Sequence, residues 1–451
     1  MDLGGIVKAY DVRGLVGTQL DAEVARALGR AAAVELHGEG VIVARDMRPS
    51  GVELAEAFMD GVRAQGVDTV DIGLASTDLL YYASGRLGLP GAMWTASHNP
   101  AEYNGLKLCR AGAEPVGIET GLALIRDRVH GEHFPAADRQ GVARQADLIG
   151  EYAEHVRSFV DVGRMRPLKV AVDAGNGMAG LVVPPVFDPM PAHVVPLYFE
   201  LDGTFPNHPA NPIEPENLVD LQQAVTANGC DVGLAFDGDA DRVFMVDERG
   251  EPISPSAVTA VIAKTVLATH PGETVLYNLI CSRAVPEAIT EAGGHAVRTR
   301  VGHSFIKQVM KDTGAVFAGE HSGHYYFRDK FRADSGLIAA VIFLAALSDH
   351  GGPASAFVAP FTRYAASGEI NTAVADQTAA MEQVAEAFAT KGELDWADGL
   401  TVNAEDWWFN LRPSNTEPLL RLNVEANRPA TMEEIRDRVL YIIRRRQGVM
   451  D

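Results

Sequence analysis

Short apolar runs separated by longer amphipathic stretches set the rhythm of the chain. Gly40–Val43, Leu168–Val172, Val232–Phe236 and Thr274–Tyr277 are apolar segments beside such stretches, and their length and composition predict buried strands. Ala22–Glu35, Gly51–Gln65, Leu218–Asn228, Ala284–Ala292 and Phe305–Thr313 repeat apolar residues at helical spacing. Most of them end near a glycine that can take the left-handed C-cap conformation. Strand and helix in alternation predict an α/β architecture.

Gly, Pro and charge interrupt the alternation near Gly131–Gln145, Arg249–Pro255 and His350–Pro360. These breaks divide the 451 residues into four units, 1–143, 144–249, 250–358 and 359–451, in keeping with roughly 100–200 residues per domain. No exact repeat is present, yet the first three units share the same alternation, consistent with one topology used three times. The tail differs. Gly368–Asn371, a helical stretch through Ala387, the segments Trp407–Leu411 and Leu419–Val424, and a last helix Met432–Arg446 read as a smaller α+β domain.

Charge narrows the function. Lys and Arg total 39 against 60 Asp and Glu, a formal charge of -21, which argues against a nucleic-acid partner. Three scattered cysteines, Cys109, Cys230 and Cys281, form no CxxC pair and suit a reducing compartment. The N-terminus has no signal-like pattern, and the longest apolar run, Gly336–Leu347, is too short to span a bilayer. The expectation is a cytoplasmic protein without a membrane partner.

The sharpest chemical signal follows the strand Val232–Phe236: in Asp237-Gly238-Asp239-Ala240-Asp241-Arg242, three carboxylates alternate. Such close like charges call for a cation, and hard oxygen ligands suit Mg²⁺. An EF-hand is excluded because Arg242 stands at loop position six and a strand, not a helix, precedes the loop. Ser97, in Thr95-Ala96-Ser97-His98-Asn99-Pro100 after the apolar Leu89–Trp94, offers a hydroxyl at a strand end. By itself this is also an ordinary Asn-Pro turn.

Arg412-Pro413-Ser414-Asn415-Thr416-Glu417-Pro418, with Arg421 beyond, supplies a guanidinium, hydroxyls and turn N–H groups suited to phosphate, although a capped polar turn has the same composition. Gly319-Glu320-His321-Ser322-Gly323-His324 can present hydrogen-bonding groups to sugar hydroxyls; zinc is disfavoured because no supporting thiol or His follows. Asp173–Gly180 contains a formal GxGxxG, with Glu200 about where a ribose-binding acid would sit. Glycine-rich turns of this kind also serve tight packing alone, and a dinucleotide would leave the acidic cluster unexplained.

Taken in order, Lys8–Gly14, the Ser97 loop, Asp237–Arg242, Gly302-His303-Ser304, Gly319–His324 and Arg412–Pro418 resemble the α-D-phosphohexomutases, most closely the bacterial phosphomannomutase/phosphoglucomutase branch, over nearly the whole chain. The resemblance implies three topologically related α/β domains and a smaller C-terminal α+β domain around a central active-site cleft. It implies that Ser97 carries a covalent phosphate beside Mg²⁺ held by Asp237, Asp239 and Asp241. Phosphoserine 97 would phosphorylate a hexose 1-phosphate, and the 1,6-bisphosphate would reorient and return the other phosphoryl group, leaving hexose 6-phosphate. Glucose or mannose 1,6-bisphosphate would serve as activator.

By the same resemblance Arg13, His98 and Lys107 lie near the transferring group, with Arg242 at the metal loop. Arg412, Ser414, Asn415, Thr416 and Arg421 hold the other phosphate. Glu320 and Ser322 hold sugar hydroxyls, with His303, His324 and Tyr10 nearby. Ile280 stands where this branch often has Lys, and Arg300 is the candidate to supply that cation. The leading expectation is a phosphomannomutase with some phosphoglucomutase activity, feeding GDP-mannose synthesis and working as a monomer or homodimer. Its rivals are a phosphoglucosamine mutase, a silent sugar-phosphate binder and, least favoured, a dinucleotide oxidoreductase.

Overall fold

The computed structural model describes residues 3–131, 134–413 and 419–445, with the side chains of residues 303 and 304 left out. Three units each have their own sheet, built on the same strand order. In the second, Leu168–Asp173 pairs in parallel with Ala192–Leu197 on one side and Val232–Phe236 on the other. The antiparallel strands Val243–Asp247 and Pro252–Ile253 complete it. The third unit repeats this order with Thr274–Asn278 between His295–Thr299 and Phe317–Gly319, then Tyr325–Phe327 and Ala333–Asp334. The first unit has the same arrangement in Gly40–Arg45, Asp68–Leu74, Gly91–Trp94 and Tyr103–Arg110, to which Val12–Leu15 and Ala143–Gln145 add edges.

The repetition has a functional consequence. The Ser97 loop, the Asp237–Arg242 loop and the Glu320–His324 loop each connect the third strand of this order to its antiparallel fourth. Three chemically different loops thus occupy one topological position, used three times.

The expected α/β elements are present; the helix Val219–Asn228, for example, ends on Gly229 in the left-handed conformation. Edge strands fall where the sequence reads as breaks: Ala143–Gln145 and Pro252–Ile253 are too short to show any period. One apolar core runs through the first three units, joining residues such as Ile42, Val170 and Phe317. Gly336–His350 is a core helix in it, and no single described helix is long and apolar enough to cross a membrane. The fourth unit has a separate core under an antiparallel sheet, packed by the helices Gln377–Phe388 and Pro429–Arg445. Arg283 of the third unit donates to the carbonyls of Ala404, Glu405 and Trp407, tying the fourth unit down.

His155 packs between Tyr82 and Phe159, and burial pulls its pKa from 6.5 to about 4. The unfolded chain therefore binds this proton first as pH falls, so folded stability drops between pH 6.5 and about 4. His155→Phe, which keeps the aromatic packing but cannot titrate, is expected to flatten the decline of the thermal midpoint over that window.

Candidate active site

Ser97 is buried, 4% exposed, and sits at φ 48°, left-handed backbone that a non-glycine residue adopts only when its surroundings hold it there. Arg48 does the holding. Its guanidinium, itself buried, donates to the carbonyls of Ser97 (3.0 Å), Asn99 (2.6 Å), Pro100 (2.7 Å) and Tyr103 (2.9 Å), and its Nε to Asp46 (3.3 Å). Gly238 of the second unit presses against this turn: a Cβ there would lie 2.5 Å from the Ser97 carbonyl oxygen, so only glycine fits.

This contact brings the acidic loop to the hydroxyl. Ser97 Oγ donates to Asp237 Oδ2 at 2.7 Å and accepts from Arg242 at 3.1 Å. Lys107 bridges Asp239 and Asp241, at 2.7 Å each. Thr77 adds a hydroxyl bond to Asp239 at 2.6 Å. Burial raises the Asp237 carboxyl, and Arg242 only partly offsets it. Burial also acts on Asp239, but there Lys107 outweighs it and holds the group below the usual carboxylate range. For Lys107 itself the two carboxylates overcome burial and keep the ammonium charged.

His98 Nδ1 faces Arg242, which can only donate, so its ring hydrogen belongs on Nε2. Burial, then Arg242 and Arg13, hold His98 well below its usual pKa, as a neutral imidazole. Arg13 reaches the same turn through Asn99 and is held by Asp11.

The three aspartates offer oxygens within 4.8 Å of one another. Asp239 Oδ1 and Asp241 Oδ1 are buried with no hydrogen-bond partner. Orphaned, mutually close carboxylate oxygens are what a hard divalent cation would satisfy, so the donor set fits a metal.

The residues of the Gly319–His324 loop come together as well. Glu320 accepts from Gly302 N (3.1 Å), Ser322 Oγ (3.1 Å) and Tyr326 OH (3.3 Å). The loop is bridged to the acidic loop between Arg242 and His324. Tyr10 packs edge-on against Phe305, whose face is covered by Arg300 at 4.7 Å. Ile280 is buried. In the fourth unit Arg412 and Arg421 are paired, each at 3.1 Å, to the two oxygens of Glu369. Ser414, Asn415 and Thr416 lie outside the described residues, as does the side chain of His303.

The formal GxGxxG turn is structural. Met178 N donates to the Gly238 carbonyl at 2.9 Å, and a Cβ at Gly177 would lie 2.8 Å from the same oxygen, so the turn buttresses the acidic loop. Arg48, Thr77 and Glu369 were not legible as site residues: apart from the Arg48–Asp46 pair, their partners at the site are distant in sequence. The charge of Arg48, in a turn directly after an apolar strand, was the only signal.

Sequence profiles of the phosphoglucomutase/phosphomannomutase family match all four units: alpha/beta/alpha domain I over residues 4–135, domain II over 150–250, domain III over 254–364 and the C-terminal domain over 369–441. The chain belongs to this family. The family's mutases include a Xanthomonas campestris protein named for phosphohexose mutases, 40% identical over 95% of this chain and 96% of its own length. The phosphomannomutase/phosphoglucomutase of Pseudomonas aeruginosa is 39% identical, over 96% of this chain and 94% of that one. Among solved structures, a phosphoglucomutase/phosphomannomutase family protein from Burkholderia thailandensis superposes with a TM-score of 0.90 at 34% identity, covering 100% of this chain and 99% of its own. The phosphohexomutase fold and this chain's place in it are thereby established, and with them its class as a mutase.

Proposed function

We propose that the protein is a phosphomannomutase that interconverts mannose 1-phosphate and mannose 6-phosphate, and acts on glucose phosphates as well, with Ser97 as the phosphoryl carrier. The observation that carries this reading is the convergence, from two units, of the Ser97 hydroxyl, a cluster of three aspartates with two orphaned oxygens, and the cations Arg242 and Lys107. Phosphoryl transfer needs little covalent chemistry from other residues; it needs neutralised oxygens and aligned donor and acceptor. A Mg²⁺ held by Asp237, Asp239, Asp241 and the Ser97 phosphate would supply Lewis-acid neutralisation of the transferring group.

The chain's own residues account for the remainder. Asp237 accepts a hydrogen bond from the Ser97 hydroxyl in the unphosphorylated enzyme. Arg242 neutralises charge at Oγ, while Arg13 and Lys107 flank the transferring group as charge stabilisers and the neutral imidazole of His98 is the group beside it able to relay a proton. Arg412 and Arg421 take the non-transferring phosphate, which displaces Glu369 from between them. Glu320 and Ser322 hold sugar hydroxyls in either orientation of the 1,6-bisphosphate, with His324 and Tyr10 beside them. Arg300 stands in for the lysine replaced by Ile280. Hexose phosphates are the substrates, and a hexose 1,6-bisphosphate primes Ser97.

Two substitutions test this division. Arg412→Ala removes a charge-assisted bond worth about 1.5–3 kcal/mol, so KM for mannose 1-phosphate and glucose 1-phosphate is expected to rise together by about tenfold to a hundredfold. Glu320→Ala is expected to change the ratio of kcat/KM for the two sugars. Parallel losses in both variants would remove Glu320 from sugar recognition.

A further inference from the structure

We propose that Asp334, itself neutralised by Lys307, is a positioning residue that fixes the His324 ring so that Nε2 is the nitrogen presented to substrate. The inference rests on the functional reading above for its catalytic consequence, but not for its structural content. Asp334 lies at the end of the short strand Ala333–Asp334, paired to Tyr325–Phe327, which follows His324 directly. It is 3% exposed. Its Oδ2 lies 3.0 Å from His324 Nδ1, and its Oδ1 lies 2.9 Å from the ammonium of Lys307.

Lys307 comes from the helix His303–Thr313; it is also 3% exposed, and its ammonium stands 4.0 Å over the ring of Tyr81 in the first unit. Two buried charges in such a place are maintained by each other: removing either would leave an uncompensated ion.

Asp241, His324 and Asp334 bring potential ligand atoms within 4.8 Å of one another, the spacing of a metal site. The ammonium of Lys307 already supplies the cation on the Asp334 side, so the arrangement reads as an oriented imidazole and not as a second metal centre. Nδ1 meets only carboxylate oxygens, with Asp241 Oδ1 at 3.8 Å as the second, and a ring nitrogen facing only acceptors carries a hydrogen. The ring plane is stacked on Tyr326, with centroids 6.1 Å apart. Its main chain is bridged to Arg242 of the metal loop. Nε2, which makes no hydrogen bond to a described residue, is therefore the atom free to meet a hydroxyl or phosphoryl oxygen. Behind metal-bound imidazoles such an orienting carboxylate matters by about 10–100-fold when removed, and an effect of that order is expected for this oriented ring.

The test uses the full-length enzyme with ¹⁵N-labelled histidine, the His324 signal being assigned by its loss in His324→Gln. The wild type is expected to carry a hydrogen on Nδ1, whether or not Nε2 also carries one. In Asp334→Asn that preference is expected to be lost. With mannose 1-phosphate, kcat is expected to fall about 10–100-fold while KM stays within about twofold. A wild-type His324 with a bare Nδ1 overturns the proposal without any variant being made, as does an Asp334→Asn enzyme with unchanged ring protonation and unchanged kcat. Should Asp334→Asn fail to fold, Lys307→Met is read by the same spectrum, in which a retained Nδ1 hydrogen is expected. If the wild type turned over no hexose phosphate while His324 showed its Nδ1 hydrogen, the functional reading would fall and the orientation would stand.

Discussion

Ser97→Ala is expected to lower turnover of mannose 1-phosphate by at least about 10³-fold while leaving sugar-phosphate binding nearly intact, because it removes the proposed phosphoryl carrier. The hydroxyl lies 2.7 Å from Asp237, 3.1 Å from Arg242 and 3.2 Å from His98, and no second described hydroxyl bonds to Asp237 or Arg242. The proposed phosphate anchor, Arg412 and Arg421, belongs to a different unit with its own core and does not depend on Oγ. Calorimetric titration with hexose 6-phosphate and a coupled assay separate the two quantities. Full activity in Ser97→Ala would rule out the phosphoserine mechanism, whereas loss of binding in step with activity would mean that the variant has disturbed the cleft.

The other large effect belongs to Arg48. Four carbonyls of the Ser97 turn and the carboxylate of Asp46 converge on its guanidinium, and both side chains are fully buried. Arg48→Met keeps much of the apolar volume but leaves Asp46 as a buried charge without its partner and the carbonyls without a donor. Breaking a buried pair in this way costs about 3–5 kcal/mol, and the turn that holds Ser97 at positive φ loses its clamp. Denaturant unfolding is expected to show that loss, and activity at a temperature where the variant is still folded is expected to fall as well. Arg48→Lys should lie between, since an ammonium keeps the charge but cannot reproduce the planar fork that serves several acceptors at once. Wild-type stability in Arg48→Met would show that the turn is held by other contacts.

What the sequence could reveal follows from range. Asp237, Asp239 and Asp241 are legible because the acidic cluster is gathered within a few residues of one strand end. The α/β alternation is legible because each element carries its own period. Strand order is not, since it is decided by pairings between distant segments; the alternation suggests one topology used three times, but the order itself and the placing of a chemically distinct loop at the same turn in each unit are seen in the sheets. Thr77 and Asp239 are 162 positions apart, and Arg48 acts on carbonyls about fifty residues away. Nothing local marks either contact. The glycine-rich turn after Asp173 misleads for the opposite reason: its local pattern is that of a phosphate loop, whereas its glycines answer to the backbones of Gly238 and Phe199.

The most direct test of the account is ³¹P NMR of the purified enzyme with Mg²⁺ and catalytic glucose 1,6-bisphosphate, supplied with mannose 1-phosphate and glucose 1-phosphate together. The expected result is conversion of mannose 1-phosphate to mannose 6-phosphate, faster than that of the glucose ester; a preference for glucose would make the protein chiefly a phosphoglucomutase. Persistence of both 1-phosphate signals would contradict the account.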